Sequence, residues 1–187
     1  MKKIIIITIF FTCISCKGQV NEENRTKAKN LVNEAIDCYS KSIQEENKKI
    51  DNCLKLIDNA IKVDSTYFKA YYDKIKILAL KKDIKGLLKN NEKMIELRPN
   101  QPIWKIQRGL FFEIDDNKIE AEKFYSKAIL EYENLLKTEL NKDFNFRIEY
   151  MTSLETKGEI DKAKIELEKI SKEFPNNETI KVFKSDY

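Results

Sequence analysis

The sequence contains no histidine, which excludes nucleophile triads, general bases and metal sites that depend on an imidazole ring. Only four glycines are present, and they are scattered along the chain, so no glycine-rich loop is available to hold a phosphate group. There are also only three prolines. So few chain breakers favour long helices over a sheet protein, which needs many turns.

The residues that are abundant indicate one ordered domain. Hydrophobic residues make up 42% and charged residues 35% of the 187-residue chain, a balance typical of a folded domain with a sizeable core. The formal net charge is +4, and it falls to +2 without Lys2 and Lys3 of the N-terminal segment. Because basic and acidic residues nearly balance, nothing in the composition indicates a nucleic-acid partner.

The N-terminal segment has the layout of a secretory signal. Lys2 and Lys3 form a positive start, and the stretch from Ile4 to Ile14 that follows is largely apolar. As a helix this stretch would be about 16 Å long, roughly half of the hydrocarbon core of a bilayer, and is therefore too short for a permanent transmembrane helix. The pattern predicts that residues 1–15 are a signal peptide.

The end of this segment, Ile14-Ser15-Cys16, resembles the lipobox of bacterial lipoproteins. The resemblance implies cleavage between Ser15 and Cys16 and lipidation of the Cys16 thiol, with an ordinary cleaved signal as the alternative because Cys13 stands where a leucine-like residue is usual. Lipidation would anchor the protein to the bacterial cell envelope at the outer membrane, on either its periplasmic or its surface side. Residues 16–25 are polar and are predicted to form a flexible tether.

The rest of the chain, residues 26–187, repeats with a period of 34 residues. The segment Ala60–Ser65 aligns with Met94–Pro99, and a further step of 34 residues reaches Ala128. The next copy, which ends at Pro175, follows only after eight additional residues. Four copies in register indicate a repeat protein.

A helix–turn–helix unit of this length resembles the tetratricopeptide repeat. The unit at 102–133 carries the resemblance best, since glycine, aromatic and alanine residues stand at the positions where the family has them: Gly109, Phe112, Ala121, Tyr125 and Ala128. The resemblance implies an all-α solenoid of about four helical hairpins, because one hairpin cannot bury its apolar face alone. The small residues Gly109 and Ala121 are expected to let the two helices of a hairpin approach closely.

Apolar periodicity and the helix-ending Pro99 and Pro175 predict eight helices and a short ninth helix that caps the C-terminal end. The ninth helix would use Ile180 and Phe183 to cover the last hairpin. The eight additional residues keep helical periodicity and are predicted to lengthen one helix rather than to form a loop. The predicted ranges are 26–45, 47–63, 66–81, 84–97, 101–114, 117–141, 144–156, 160–173 and 177–184.

In tetratricopeptide proteins the first helices of successive hairpins line a concave groove. When these positions are carried over residue by residue, the predicted groove consists of Lys69, Tyr72, Lys76, Ile103, Ile106, Leu110, Glu113, Ile148, Thr152 and Glu155. A mixture of apolar, aromatic and charged side chains suits an extended peptide or a partner helix. The alternative for Ile106, Leu110 and Ile148 is that they pack against neighbouring helices.

The resemblance implies a non-enzymatic scaffold that binds a protein or peptide partner without a cofactor or a metal ion. The alternative is a carbohydrate- or nutrient-binding accessory lipoprotein, in which Tyr72 would stack on a sugar ring. The acidic pairs Glu45–Glu46 and Asp115–Asp116 lie at predicted turns. Carboxylates at such places usually cap a helix or meet water, so they do not indicate catalysis.

Cys38 and Cys53 are the two cysteines of the repeat domain. They fall on the two helices of the first hairpin, where an exported protein could form a disulfide. Cys53 occupies a position where small core residues pack, and Cys38 is next to Tyr39, whose phase in the helix also indicates the core. Two reduced, buried cysteines are therefore the preferred prediction, with the disulfide as the alternative.

Overall fold

The computed structural model describes residues 21–44 and 49–185. No strand occurs within these two ranges. The predicted signal peptide, Cys16 and the acidic pair Glu45–Glu46 lie outside the described residues. The helices are α1 (Glu22–Gln44), α2 (Ile50–Val63), α3 (Phe68–Leu80), α4 (Ile84–Leu97), α5 (Ile103–Ile114), α6 (Lys118–Leu135), a 3-10 helix (Glu139–Lys142), α7 (Phe144–Lys157), α8 (Ile160–Glu173) and α9 (Glu178–Ser185).

Successive helices pair into four hairpins. α1 pairs with α2, α3 with α4, α5 with α6 and α7 with α8, and each hairpin contacts the first helix of the next one. α9 contacts α8 and closes the C-terminal end. Each hairpin buries its apolar face against its neighbours, as repeat proteins do. The predicted all-α solenoid of about four tetratricopeptide-like hairpins with a short C-terminal helix is confirmed.

The first hairpin illustrates how the sequence period produces its packing. Buried residues three or four positions apart lie on one face of each helix, because an α-helix has 3.6 residues per turn. Most of these residues are small, which lets the two helices approach closely. They are Ala28, Val32 and Ala35 of α1 and Cys53, Ile57 and Ala60 of α2.

The close approach predicted at Gly109 is confirmed in the third hairpin. Gly109 of α5 is buried, and a Cβ atom at this position would overlap the ring of Tyr125 in α6. Ala121, one turn earlier in α6, is buried as well. The Tyr125 ring therefore occupies the space that the glycine leaves open, and its hydroxyl group donates a hydrogen bond to Glu113 at 2.7 Å.

Helix ends agree with several local signals in the sequence. α4 ends two residues before Pro99 and α8 ends two residues before Pro175, since proline cannot continue a helix. α7 ends at Gly158, which has a φ of +88°, a left-handed conformation that glycine adopts without a steric penalty. The predicted C-terminal helix is also confirmed, because Ile180 is buried and Phe183 packs against the same core cluster.

The first helix begins earlier than predicted. α1 starts at Glu22, so the end of the predicted tether at 16–25 is helical. The side chain of Asn21 accepts hydrogen bonds from the backbone N–H groups of Glu23 at 3.0 Å and Asn24 at 3.2 Å. Asn21 is therefore the N-cap that starts the helix, a signal that the polar composition of the segment conceals.

The prediction of one continuous helix at 117–141 is wrong in its last part, because α6 ends at Leu135. The hydroxyl group of Thr138 donates a hydrogen bond to the Leu135 carbonyl oxygen at 2.7 Å and accepts one from the Leu140 N–H at 3.3 Å. Thr138 itself has an extended backbone. This single side chain thus ends α6 and begins the 3-10 helix, so that the additional residues form a bent connection to the fourth hairpin.

Cys38 and Cys53 form a disulfide that joins α1 to α2, with their Cα atoms 5.4 Å apart. The preferred prediction of two reduced cysteines is therefore wrong. Cys53 is fully buried, whereas Cys38 is partly buried at the edge of the same core cluster. The separation is typical of disulfides, and it depends on how the two helices pack, which the positions in the sequence do not specify.

Candidate binding groove

The first helices of the last three hairpins, α3, α5 and α7, form one side of the solenoid. α5 contacts α7 directly, and aromatic side chains connect α3 to α5. α1 contacts α3 in the same way at the N-terminal end. The predicted groove residues lie along this surface.

The predicted groove residues differ in exposure. Those that are solvent-exposed are Lys69, Tyr72, Lys76, Leu110 and Glu113, and those that are partly buried are Ile103, Ile148, Thr152 and Glu155. Tyr72 is 46% exposed and Leu110 is 39% exposed. An aromatic and a leucine side chain therefore remain accessible beside charged groups on the first helices.

Ile106 and Ile148 pack against neighbouring helices, which is the alternative that the sequence left open for them. Ile106 is only 2% exposed and belongs to the core formed by the third and fourth hairpins. Ile148 is partly buried and packs against the same core. These two side chains stabilise the contact between hairpins, and Leu110 remains as the accessible apolar residue of α5.

The lysines of α3 share one buried carboxylate. Asp73 has a side chain that is 2% exposed, and it accepts hydrogen bonds from Lys69 and, at 3.1 Å, from Lys76. The spacing of three and four residues places all three side chains on one face of α3. Two positive charges surround one negative charge, so this end of the groove keeps a basic character.

Three aromatic side chains, Phe68, Tyr72 and Trp104, form an aromatic bridge between α3 and α5. The ring of Trp104 lies 5.1 Å from Phe68 and 6.1 Å from Tyr72, measured between centroids. The indole N–H of Trp104 donates a hydrogen bond to Gln101 at 2.8 Å, which fixes the ring. The groove prediction did not include Phe68 or Trp104, because their contact joins two hairpins and has no signature within either helix.

The aromatic bridge continues into an open cleft of about 450 Å³ between α5 and α7. We call it the α5–α7 cleft. Its walls combine apolar and aromatic side chains with amide and carboxylate groups. The lining residues are Asn100, Gln101, Pro102, Ile103, Trp104, Leu140, Asp143, Asn145, Phe146 and Glu149.

Glu149 is the acidic residue on the α7 wall of this cleft. Its carboxylate accepts a hydrogen bond from the hydroxyl group of Tyr132 at 2.7 Å. Burial raises the pKa of Glu149, the nearby charge of Asp143 raises it further, and the hydrogen bond from Tyr132 opposes both effects. Glu149 did not appear among the predicted groove residues, because only the packing of α6 against α7 brings Tyr132 to it.

Glu113 lies at the opposite end of α5, in a smaller cleft of about 260 Å³ near the turn of the third hairpin. Its carboxylate accepts the hydrogen bond from Tyr125, so part of its binding capacity is used within the hairpin. Burial and this hydrogen bond raise the pKa of Tyr125 above its ordinary value, so the phenol remains a donor at neutral pH. We therefore infer that Glu113 stabilises the third hairpin at the edge of the groove and does not lie at the centre of the groove.

The acidic residues of the described ranges lack the geometry of a metal-binding site. No group of three acidic or cysteine side chains there could hold a metal ion. Asp115 and Asp116 are exposed at the turn after α5, where the neighbouring Asn117 caps α6. Nor does any helix in these ranges combine the length and hydropathy that a membrane span requires. The groove offers aromatic surface, hydrogen-bonding groups and charge, which are means of recognition.

Comparison with known proteins finds similarity at the level of solved structures. No family model and no curated protein matches the chain. The structure described as "MamA RS-1 ArsTM double mutant" has 15% sequence identity and a TM-score of 0.49, and the match covers 82% of this chain and 79% of that one.

Two further solved structures have similarly low sequence identities and TM-scores below 0.5. YrrB, described as a TPR protein with an unusual peptide-binding site, has 19% identity and a TM-score of 0.44, with coverage of 85% and 75%. A MamA protein has 13% identity and a TM-score of 0.46, with coverage of 82% and 76%. At identities this low, no ligand or partner of these proteins transfers to the chain.

Proposed function

We propose that this chain is a non-enzymatic scaffold of the bacterial cell envelope that binds a protein or peptide partner in the groove formed by α3, α5 and α7. A lipid on Cys16 anchors it to the outer membrane. The observation that carries the binding role is the continuous path from the exposed Tyr72, through Trp104, into the α5–α7 cleft. An extended chain with apolar side chains at intervals fits such a path.

The disulfide supports the proposed location. Disulfides persist in oxidising compartments and are rare in the bacterial cytosol, where thiols are kept reduced. The Cys38–Cys53 bond lies in the first hairpin, close to the N-terminal end of the described residues. Export is therefore supported twice, by the layout of residues 1–15 and by the covalent bond inside the repeat domain.

Carbohydrate binding, the alternative, has less support from the groove. A sugar needs an open aromatic face, and the ammonium group of Lys76 lies over the Tyr72 ring at 5.8 Å from its centroid. The same ring also makes a T-shaped contact with Trp104. Tyr72 is thus better placed to contact the side chains of a protein partner than to stack on a sugar.

A photo-reactive amino acid at Tyr72 or at Leu110 is expected to crosslink one and the same partner protein in detergent-solubilised envelopes. Both positions are exposed on first helices, and a partner in the groove would contact both. The same amino acid at Leu130 is the matched control, because Leu130 is 58% exposed on α6, a second helix. The readout is the partner band in denaturing gels, identified by mass spectrometry.

The control decides how the crosslinking result is interpreted. Equal crosslinking of the partner from Leu130 would show that the groove is not the binding surface. Absence of any protein adduct from Tyr72 and Leu110, together with binding of the chain to a glycan array, would favour the carbohydrate alternative.

Cys16→Ala is expected to move the protein from the membrane fraction to the soluble fraction. The substitution removes the thiol that would carry the lipid, and residues 17–25 are too polar to hold the chain on a bilayer. Cys13→Leu is the control, since it removes the neighbouring cysteine and introduces the residue that is usual at this position of the lipobox, and it should keep the protein in the membrane fraction. Unchanged membrane association of Cys16→Ala after high-salt washing would refute the anchor.

A further inference from the structure

The α5–α7 cleft carries two carboxylates and, among its lining residues, no lysine or arginine. Asp143 accepts a hydrogen bond from the backbone N–H of Phe146 at 2.9 Å and caps α7. Glu149 accepts one from the Tyr132 hydroxyl group at 2.7 Å. Neutral donors thus hold both carboxylates in place, and none of the ion pairs found between described residues includes either of them.

The charges in the cleft are consequently not compensated by a cation of the lining. This contrasts with Asp73 at the other end of the groove, which two lysines neutralise. A cation that entered the cleft would meet carboxylates that are already positioned, so little reorganisation would oppose its binding.

The apolar walls of the cleft indicate which kind of cation would fit there. Trp104 is fixed by its hydrogen bond to Gln101 and by its contact with Phe68. Phe146 packs against Tyr132 at 5.4 Å between ring centroids. Long basic side chains have an apolar stem and a charged end, and they bind well where aromatic surface leads to a carboxylate.

We propose that the α5–α7 cleft binds a lysine or arginine side chain of the protein partner. The stem would lie between Trp104 and Phe146, and the charged end would reach Glu149 and Asp143. The volume of about 450 Å³ accommodates such a side chain with part of its flanking backbone. This inference rests on the proposed peptide-binding function and specifies the chemistry that the groove recognises.

The occupant is a basic segment of a protein because the cleft is one end of a longer surface. Trp104 belongs both to the cleft and to the aromatic bridge, so a chain seated in the cleft passes Tyr72 towards the lysines of α3. The two ends of the path carry opposite charge. A partner segment with a basic residue at one end and acidic residues at the other would therefore bind in one direction only.

The test begins with a displayed library of random twelve-residue peptides selected on the full chain in detergent. A selected peptide is then synthesised with a fluorescent label, and its dissociation constant is measured by anisotropy. We expect the selected sequences to be enriched in lysine or arginine. Replacing that residue with the uncharged norleucine or citrulline should weaken binding at least about tenfold.

Glu149→Gln is the corresponding change in the protein. The amide oxygen can still accept the hydrogen bond from Tyr132, so the fold is retained while the charge is lost. Glu149→Gln should weaken binding of the basic peptide at least about tenfold. It should leave the affinity for the uncharged peptide unaffected, since the substitution in the protein and the replacement in the peptide remove the same interaction. Asp143→Asn, which keeps the cap of α7, should have the same direction of effect.

The matched control is Glu139→Gln. Glu139 belongs to the neighbouring 3-10 helix, its side chain is 88% exposed, and it does not line the cleft. The substitution changes the net charge of the chain by the same amount as Glu149→Gln. It therefore distinguishes a general electrostatic attraction of the peptide from a direct contact in the cleft. At physiological salt it should change the dissociation constant less than about twofold.

Each other outcome overturns a defined part of the proposal. Peptides that bind without enrichment of basic residues, or basic peptides that bind Glu149→Gln as tightly as the unmodified chain, would overturn the cation site and leave the peptide groove intact. Failure to select any peptide above background would overturn both the cation site and the peptide-binding function.

Discussion

Arg147→Met is expected to lower the free energy of unfolding by about 3–5 kcal/mol. Arg147 lies on α7, and its side chain is only 6% exposed against α8. Its guanidinium group lies 2.6 Å from Glu166, whose side chain is 7% exposed, and 2.5 Å from Glu173. Methionine retains much of the apolar volume, so the dominant cost is the buried carboxylate of Glu166, which loses its closest partner and keeps only the longer contact with Lys169 at 3.4 Å.

Denaturation in urea with linear extrapolation measures this loss, and two further variants test its cause. Arg147→Met combined with Glu166→Leu removes both charges and should recover most of the stability, because apolar side chains can replace a buried pair. Lys142→Met breaks the exposed pair with Glu139 and should cost less than about 0.5 kcal/mol. A double variant less stable than Arg147→Met alone would contradict the explanation.

Loss of the disulfide is expected to lower the free energy of unfolding by about 3 kcal/mol. The bond joins residues that are 15 positions apart, and closing a loop of this length restricts the unfolded chain by about that amount. The variant in which Cys38→Ala and Cys53→Ala are combined tests this in urea denaturation. Alanine suits the fully buried position of Cys53, where a serine would add a polar group to the core.

A reducing agent provides the control for this experiment. Dithiothreitol should destabilise the unmodified chain to the level of the double alanine variant and leave that variant unchanged. Thiol labelling of unreduced, denatured protein should also leave the peptides that contain Cys38 and Cys53 unmodified. Labelling of both cysteines without reduction would contradict the disulfide.

The sequence was sufficient for the fold because repeat proteins depend on local signals. The period of 34 residues placed the hairpins, and the small Gly109 marked a close approach that the structure shows against Tyr125. The predicted helix boundaries were wrong where a single side chain determines the start or the end of a helix. Asn21 started α1 early because its side chain accepts hydrogen bonds from the first backbone N–H groups of the helix. Thr138 ended α6 before the period suggested because its hydroxyl group competes with the helix for backbone hydrogen bonds.

The candidate groove was predictable only in outline. The resemblance to the tetratricopeptide repeat implies groove positions at Lys69, Tyr72 and Leu110, and all three side chains are exposed on first helices. Trp104 and Glu149 were not found, because each acquires its role from a helix of another hairpin. Trp104 meets Phe68 and Tyr72 of α3, and Glu149 meets Tyr132 of α6.

By itself, the sequence determined the all-α repeat fold and the absence of histidine, and it predicts a secretory signal at residues 1–15. Those properties depend on composition and on spacing along the chain. Only the tertiary structure decided that Cys38 is bonded to Cys53 and that Ile106 belongs to the core. It also decided that two carboxylates face an aromatic cleft. The reason is physical: distances of a few ångströms between hairpins depend on how the helices pack, and a repeat period does not specify that packing.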